Sequence, residues 1–160
     1  TRQNCIECGS IGIIEPGLIE PYGEDFIKLL KSRHSNMVSG AMTALAEIAK
    51  VNPELIFSNL DAIKRATKEG DEITIDAFIS TLANTASANE EYNAKILPHL
   101  IEHLSTCRPG DLAQHAESML PAFDEFNKDD FVKVLKKRQQ KLDSAAFTRL
   151  GRIIRLAEKL

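Results

Sequence analysis

Tryptophan is absent from this chain of 160 residues, and the only aromatics are seven Phe and two Tyr. Few rings are left on which nucleic-acid bases could stack, so the interior must be mostly aliphatic. Cysteine is scarce as well: three residues, an odd number, do not make a disulfide framework. A reducing, cytoplasmic setting is expected. No apolar run approaches the ~18 to 20 residues that span a bilayer, because charges interrupt every one. The first residues lack the basic and apolar layout of a secretory leader. A net charge of −3 argues against nucleic acid or membrane as the partner of the whole chain. The chain opens at Thr1, not Met, as expected of a fragment or a trimmed chain. What remains, 43% hydrophobic and 27% charged, is a folded composition, long enough for one continuous core.

What the chain does have is a repeat. In steps of 37 residues Cys8, Leu45 and Leu82 fall in register, followed by Gly9, Ala46 and Ala83 and by Gly12, Ala49 and Ala86. Pro16, Pro53 and Glu90 then align just before a second apolar run. A further step of 38 brings Leu82 onto Leu120 and Leu97 onto Leu135. Repeats of this length mean stacked supersecondary units.

The local signals are helical. Met42, Leu45, Ala46, Ile48 and Ala49 recur at spacings of three and four, the helix period. Asn52-Pro53 breaks that helix and starts the next. Leu55, Ile56, Leu60 and Ile63 carry its stripe to Lys68, and Asp71 caps the helix that follows. That helix runs through Ile75, Phe78, Ile79, Leu82 and Ala86 to a turn at Ala88-Asn89. Ile96, Leu97, Leu100, Ile101 and Leu104 mark another, ending before Arg108-Pro109-Gly110. Residues 111–126 and 128–142 form a fourth pair, and Asp143 or Ser144 caps a last helix to Leu160. At the front, residues 4–14 and 21–31 make the first pair. No segment alternates as a half-buried strand does. Small residues on the first helices (Gly9 and Gly12, Ala46 and Ala49, Ala83 and Ala86) let neighbouring axes come close.

Helix pairs with Pro16 and Pro53 at the turns, Ala-Leu-Ala-Glu-Ile-Ala at 44–49 and Leu-Pro-His-Leu-Ile at 97–101 resemble HEAT repeats of the wider armadillo-like class. The resemblance covers nearly the whole chain and rests on periodicity. The period of 37 falls between the ~34 of tetratricopeptide units, whose pattern also wants a Trp, and the ~40 to 47 of HEAT and armadillo units. It implies a single all-α domain over 1–160, a right-handed α-α superhelix (solenoid) of about four helical hairpins plus a C-terminal capping helix. The repeats are 1–34, 35–70, 71–107 and 108–142, with the closing helix at 143–160. It also implies a scaffold that binds proteins, or less often nucleic acid, along a concave face.

Chemistry-bearing groups are sparse. Cys5 and Cys8 form a C-x-x-C, but no second ligand pair lies at finger spacing, and the register puts both on core positions. His99, His103 and Cys107 are four apart and could present ligands on one helix face. The preceding repeat has Ala62 and Ala66 there, and no Glu follows His99 as in H-E-x-x-H. A solvated polar face is therefore expected, with no metal and no cofactor. Gly9-Ser10-Ile11-Gly12 fits neither a nucleophile elbow nor a phosphate loop, so no catalytic residue, enzyme activity or small-molecule substrate is expected.

Charge is unevenly spread. Residues 1–127 hold 10 basic and 19 acidic side chains, whereas 128–160 hold 10 basic and 4 acidic. A terminal capping helix needs a polar outer face, which lysine and arginine supply. The same groups could grip phosphate. The leading expectation is a non-enzymatic scaffold that contacts a protein through the second helices. Its contact candidates are Lys28, Arg65, Lys95, His99 and Glu102, together with the basic set Lys136, Lys137, Arg138, Lys141, Arg152 and Arg155. The alternative is a nucleic-acid binder that uses the basic C-terminal helices.

Overall fold

The computed structural model describes Glu7 and residues 10–160, so Asn4, Cys5, Cys8 and Gly9 lie outside the described residues. Among the described residues every regular element is helical. After a helical stretch at 10–14 come α1 (Pro16–Ile19), a 3-10 turn (Glu20–Tyr22) and α2 (Gly23–Leu29). α3 (Ser35–Ile48) is followed by two short helices, α4 (Pro53–Ser58) and α5 (Leu60–Ala66). α6 (Glu72–Ala86) and α7 (Glu90–Thr106) form the next pair. α8 (Leu112–Met119), a 3-10 turn (Leu120–Ala122), α9 (Lys128–Gln139) and α10 (Ser144–Glu158) complete the chain.

Short polar side chains set four of the ten described helix starts. Pro53 sits in the first turn of α4, and Asn52 accepts from the Leu55 N–H at 3.1 Å. Asp71 does the same for Thr74, Asn89 for Tyr92 and Asp143 for Ala146, each at 2.9 Å. Each such cap stabilises its helix by about 1 kcal/mol, because it satisfies an amide that has no partner inside the helix. Asp71 and Asp143 are the caps expected from the sequence.

Three boundaries differ from expectation. The helix expected to run unbroken from Pro53 to Lys68 bends at Asn59, whose φ of −114° and ψ of 17° are not helical. The Asn59 amide donates to the Leu55 carbonyl at 2.9 Å, so the side chain competes with the backbone ladder. The helix expected to reach Phe126 ends at Met119. Pro121 has no N–H to continue it, and Phe123 turns extended and stacks on Phe131 with centroids 4.1 Å apart. The second helix of the first pair begins at Gly23, with Pro21 taken into the 3-10 turn before it.

The helices pack in two layers. α3 lies on α6, α6 on α8 and α8 on α10, while α7 packs on α9. In the second layer Phe57 of α4 stacks on Tyr92 of α7, 4.1 Å between centroids. The small-residue positions lie at these crossings: Ala46, Ala49, Ala83 and Ala86 are all buried. Asn84 of α6 donates to the Ala46 carbonyl of α3 at 2.9 Å, so the two backbones come within one side chain of each other. A Cβ on Gly12 would meet the movable end of Ile19 and stand 3.2 Å from the Glu47 Cβ of α3, so a side chain there would need both neighbours to give.

The register carries into the core with one shift. Leu45, Leu82 and Met119 are at most 1% exposed, so the 37-residue step continues, and Leu120, expected by a 38-residue step, is only half-buried. The apolar interior forms two clusters, one from Ile19 to Ile63 and one from Ile79 to Ala157, and Phe78 packs against both. Leu150, Ile153, Ile154 and Ala157 of α10 are buried as its apolar stripe requires. Phe147, an apolar residue one turn nearer the start of α10, remains 48% exposed, because the buried contact begins further in. No described helix is long and apolar enough to cross a membrane.

Two outcomes follow from this packing. Ala83→Leu puts three extra carbons into a fully buried crossing and should destabilise the fold by roughly 1–3 kcal/mol, with Ala46→Leu in the same range, measured by urea unfolding. Unchanged midpoints in both would show that the crossings are not tight. Deleting 144–160 uncovers the side of α8 and α9 that Leu150, Ile153, Ile154 and Ala157 cover, an apolar surface of the kind that drives association. Sedimentation should find the shortened chain oligomeric or aggregated; a monomer of unchanged stability would deny α10 a capping role.

Candidate functional site

The end of α7 and the start of α8 converge on a polar cluster. Cys107 leaves the helix with φ −59° and ψ 161°, and its N–H still donates to the His103 carbonyl at 2.8 Å. Arg108, Pro109 and Gly110 turn the chain back into α8. The turn is fastened from outside by Arg138 of α9, which donates to the Leu104 carbonyl at 2.8 Å and the Cys107 carbonyl at 2.7 Å. Those are carbonyls at the end of α7 that the helix itself leaves without donors.

This turn sets His103 against His115, with His103 Nε2 and His115 Nδ1 2.9 Å apart. His115 is 2% exposed, and its other nitrogen, Nε2, meets Asp76 Oδ1 of α6 at 2.7 Å. Gln114 holds the second Asp76 oxygen at 2.6 Å. The carboxylate can only accept, so His115 donates an N–H from Nε2 to Asp76, and its Nδ1 faces His103 Nε2. The Cys107 sulfur joins them: one ligand atom each from His103, Cys107 and His115 lie within 4.8 Å of one another. Burial holds the His103 imidazole below its ordinary value, with His115 adding to the effect and Asp111 opposing it. Burial pushes the Cys107 thiol up, against the nearby Arg138 guanidinium. The cluster lines a cleft of about 410 Å³ whose rim carries Glu72 and Asp111. Arg108 spans that rim, 2.7 Å from Asp111 and 3.3 Å from Glu72.

The three-residue helix face expected at His99, His103 and Cys107 is therefore divided. His103 and Cys107 face α8, half-buried, and do not form a solvated surface. His99 is exposed and instead meets Lys64 Nζ at 2.7 Å, across the pair boundary. His115 and Asp76 were not singled out from the sequence. A signal for them existed: a step of 37 or 38 from Asp76 lands on Ala113 or Gln114, and a short Pro-Gly turn brings His115 back beside His103. Cys5 and Cys8 lie outside the described residues.

The contact candidates fall into two groups. Lys28, Arg65, Lys95, His99 and Glu102 are all exposed on second-layer helices. Lys28 pairs with Asp25 at 3.1 Å, a solvated contact of little energetic weight. In the basic C-terminal group, Lys136 pairs with Glu158 at 2.6 Å. Arg138 is the half-buried clamp on α7, so it is committed to the fold. Lys137, Lys141, Arg152 and Arg155 are exposed and make no ion pair among the described residues. A scan of protein-family models gives no match to this chain, and a search of curated proteins gives none either.

Replacing Arg138 by Met keeps its aliphatic stem and removes both donors. The variant should lose about 1–3 kcal/mol of stability in urea unfolding, the range for hydrogen bonds made by a charged donor. A loss well under 0.5 kcal/mol, within the range of plain surface changes, would mean that water caps α7 as well as Arg138 does.

Proposed function

We propose that this chain is a non-enzymatic helical-repeat scaffold, a right-handed α-α superhelix of the HEAT-like and armadillo-like kind, that binds a protein partner. The observation that carries the reading is a run of exposed apolar side chains at the N-terminal end of the array: Ile13, 65% exposed, Ile14, 84%, Leu18, 62%, and Tyr22, 58%. Isolated exposed apolar residues are ordinary. Four within ten residues, on consecutive short helical turns, are the start of a patch that another surface covers. The charges around them, Glu15, Glu20, Glu24 and Asp25, are acidic, which disfavours a polyphosphate at this end and favours a protein with basic residues at its rim. Lys28 on α2 continues from the run, and Arg65, Lys95, His99 and Glu102 extend a charged row along the second-layer helices.

A second reading has one observation behind it. The exposed Lys137, Lys141, Arg152 and Arg155, which make no ion pair among the described residues, could grip nucleic-acid phosphates. Binding through four phosphates would weaken about 100-fold between 50 and 200 mM salt.

Two measurements separate the readings. Ile14→Asp with Leu18→Asp should leave helix content and Tm almost unchanged, since both positions are exposed, and should remove the proteins that the parent chain retains from labelled lysate. Arg152→Glu with Arg155→Glu should retain them. Equal retention by the Ile14→Asp/Leu18→Asp variant would end the apolar-docking reading. Labelled duplex should show no salt-sensitive mobility shift; a shift abolished by Arg152→Glu with Arg155→Glu would put the nucleic-acid reading first.

A further inference from the structure

We propose that His103, Cys107 and His115 form a binding site for a zinc ion that fastens α7 to α8, with Asp76 as its outer carboxylate. The ligand atoms are His103 Nε2, Cys107 Sγ and His115 Nδ1, two nitrogens and one sulfur, the donor types zinc takes. They come from both sides of one turn, and one ligand atom from each residue lies within 4.8 Å of the others. Zinc bonds of about 2.0–2.1 Å to nitrogen and 2.3 Å to sulfur, at tetrahedral angles, hold ligand atoms roughly 3.3–3.6 Å apart. The two imidazole nitrogens, at 2.9 Å, need to open by a few tenths of an ångström, and the sulfur needs to close by about one.

The outer contacts suit a metal ligand. A ligating histidine donates its far N–H to a carboxylate, which fixes the ring and the tautomer. His115 Nε2 meets Asp76 Oδ1 at 2.7 Å, and Gln114 holds Asp76 in turn at 2.6 Å. The backbone of the Cys107 ligand is pinned by Arg138 at its carbonyl. Without metal, His103 donates its Nε2 proton to His115 Nδ1. On binding, His103 moves its proton to Nδ1, leaving Nε2 to coordinate, and the Cys107 thiol releases its proton to solvent as the zinc–sulfur bond forms. All three ligand residues line the cleft, from which water can supply a fourth ligand.

Exposed His99 lies outside this site and serves as the internal control. The N-terminal pair Cys5 and Cys8 could also hold metal, so Cys107 must be read separately. The test uses the full chain, stripped with chelator and titrated with cobalt chloride and then with zinc chloride. The parent chain should give the intense visible bands of tetrahedral cobalt and a thiolate-to-cobalt charge-transfer band, both displaced by zinc. In a background carrying Cys5→Ser and Cys8→Ser, which removes the N-terminal thiols, the chain should keep the charge-transfer band and Cys107→Ser should lose it. His103→Ala, a half-buried position less prone to unfolding than His115, should lose metal affinity. His99→Ala should not. Asp76→Asn should keep the bands and weaken affinity 10–100-fold. Zinc at a hundred times its Kd should raise Tm by roughly 5–10 °C, and Cys107→Ser should cancel that rise. A folded parent chain with no cobalt bands, or with bands and a zinc-induced Tm rise indifferent to Cys107→Ser and His103→Ala, would overturn the proposal.

Discussion

Everything else in this structure depends on how closely the first-layer helices approach. α3 lies on α6 and α6 on α8, with many small side chains buried among them: Ala41, Ala44 and Ala46 on α3, Thr81, Ala83, Thr85 and Ala86 on α6, and Ala113 and Ala116 on α8. Close axes bring polar side chains of one pair within reach of the backbone of the next. Asn84 can then donate to Ala46, and Asp76 can meet both Gln114 and His115. Larger side chains at the crossings would separate the layers and break these contacts together. Where the register stops supplying alanine, the helix stops as well: the positions 37 residues after Ala83 and Ala86 are Leu120 and Phe123, in the 3-10 turn and the extended residue that end α8.

Much of this was legible because it is periodic. The alanine crossings, the buried Leu45 and Leu82, Pro53 in a first turn, and the Asp71 and Asp143 caps all follow from spacing and local chemistry. Features that depend on one side chain meeting a remote partner were not. Asn59 reads as a middling helix residue until its amide is seen on the Leu55 carbonyl. Arg138 reads as one of a basic cluster, yet its guanidinium is folded onto the last carbonyls of α7, because those groups would otherwise go without donors. The histidine cluster was half visible. Spacing put His103 and Cys107 on one face, but it also included His99, whose direction toward Lys64 depends on the position of the neighbouring pair.

The cluster around His115 shows how a buried polar group constrains its surroundings. An imidazole at 2% exposure with an unmet nitrogen would cost about 1–3 kcal/mol. Both nitrogens are met, one by α6 and one by α7, so a residue on α8 ties three helices together. Arg138 brings in α9 through the same turn. Asp76 and Gln114 are separated by 38 residues, one more than the 37-residue step, so the packing of α6 on α8 also brings carboxylate, amide and imidazole together.

The two apolar clusters meet at Phe78, and the histidine cluster joins the pairs on the C-terminal side of it. A ligand held there strengthens the interface between α6–α7 and α8–α9 and reaches the N-terminal cluster only through α6. The exposed run from Ile13 to Tyr22 lies at the other end, beyond α3. Contacts made there bear on the N-terminal cluster first. The exposed run therefore borders the N-terminal cluster, and the histidine cluster borders the C-terminal one.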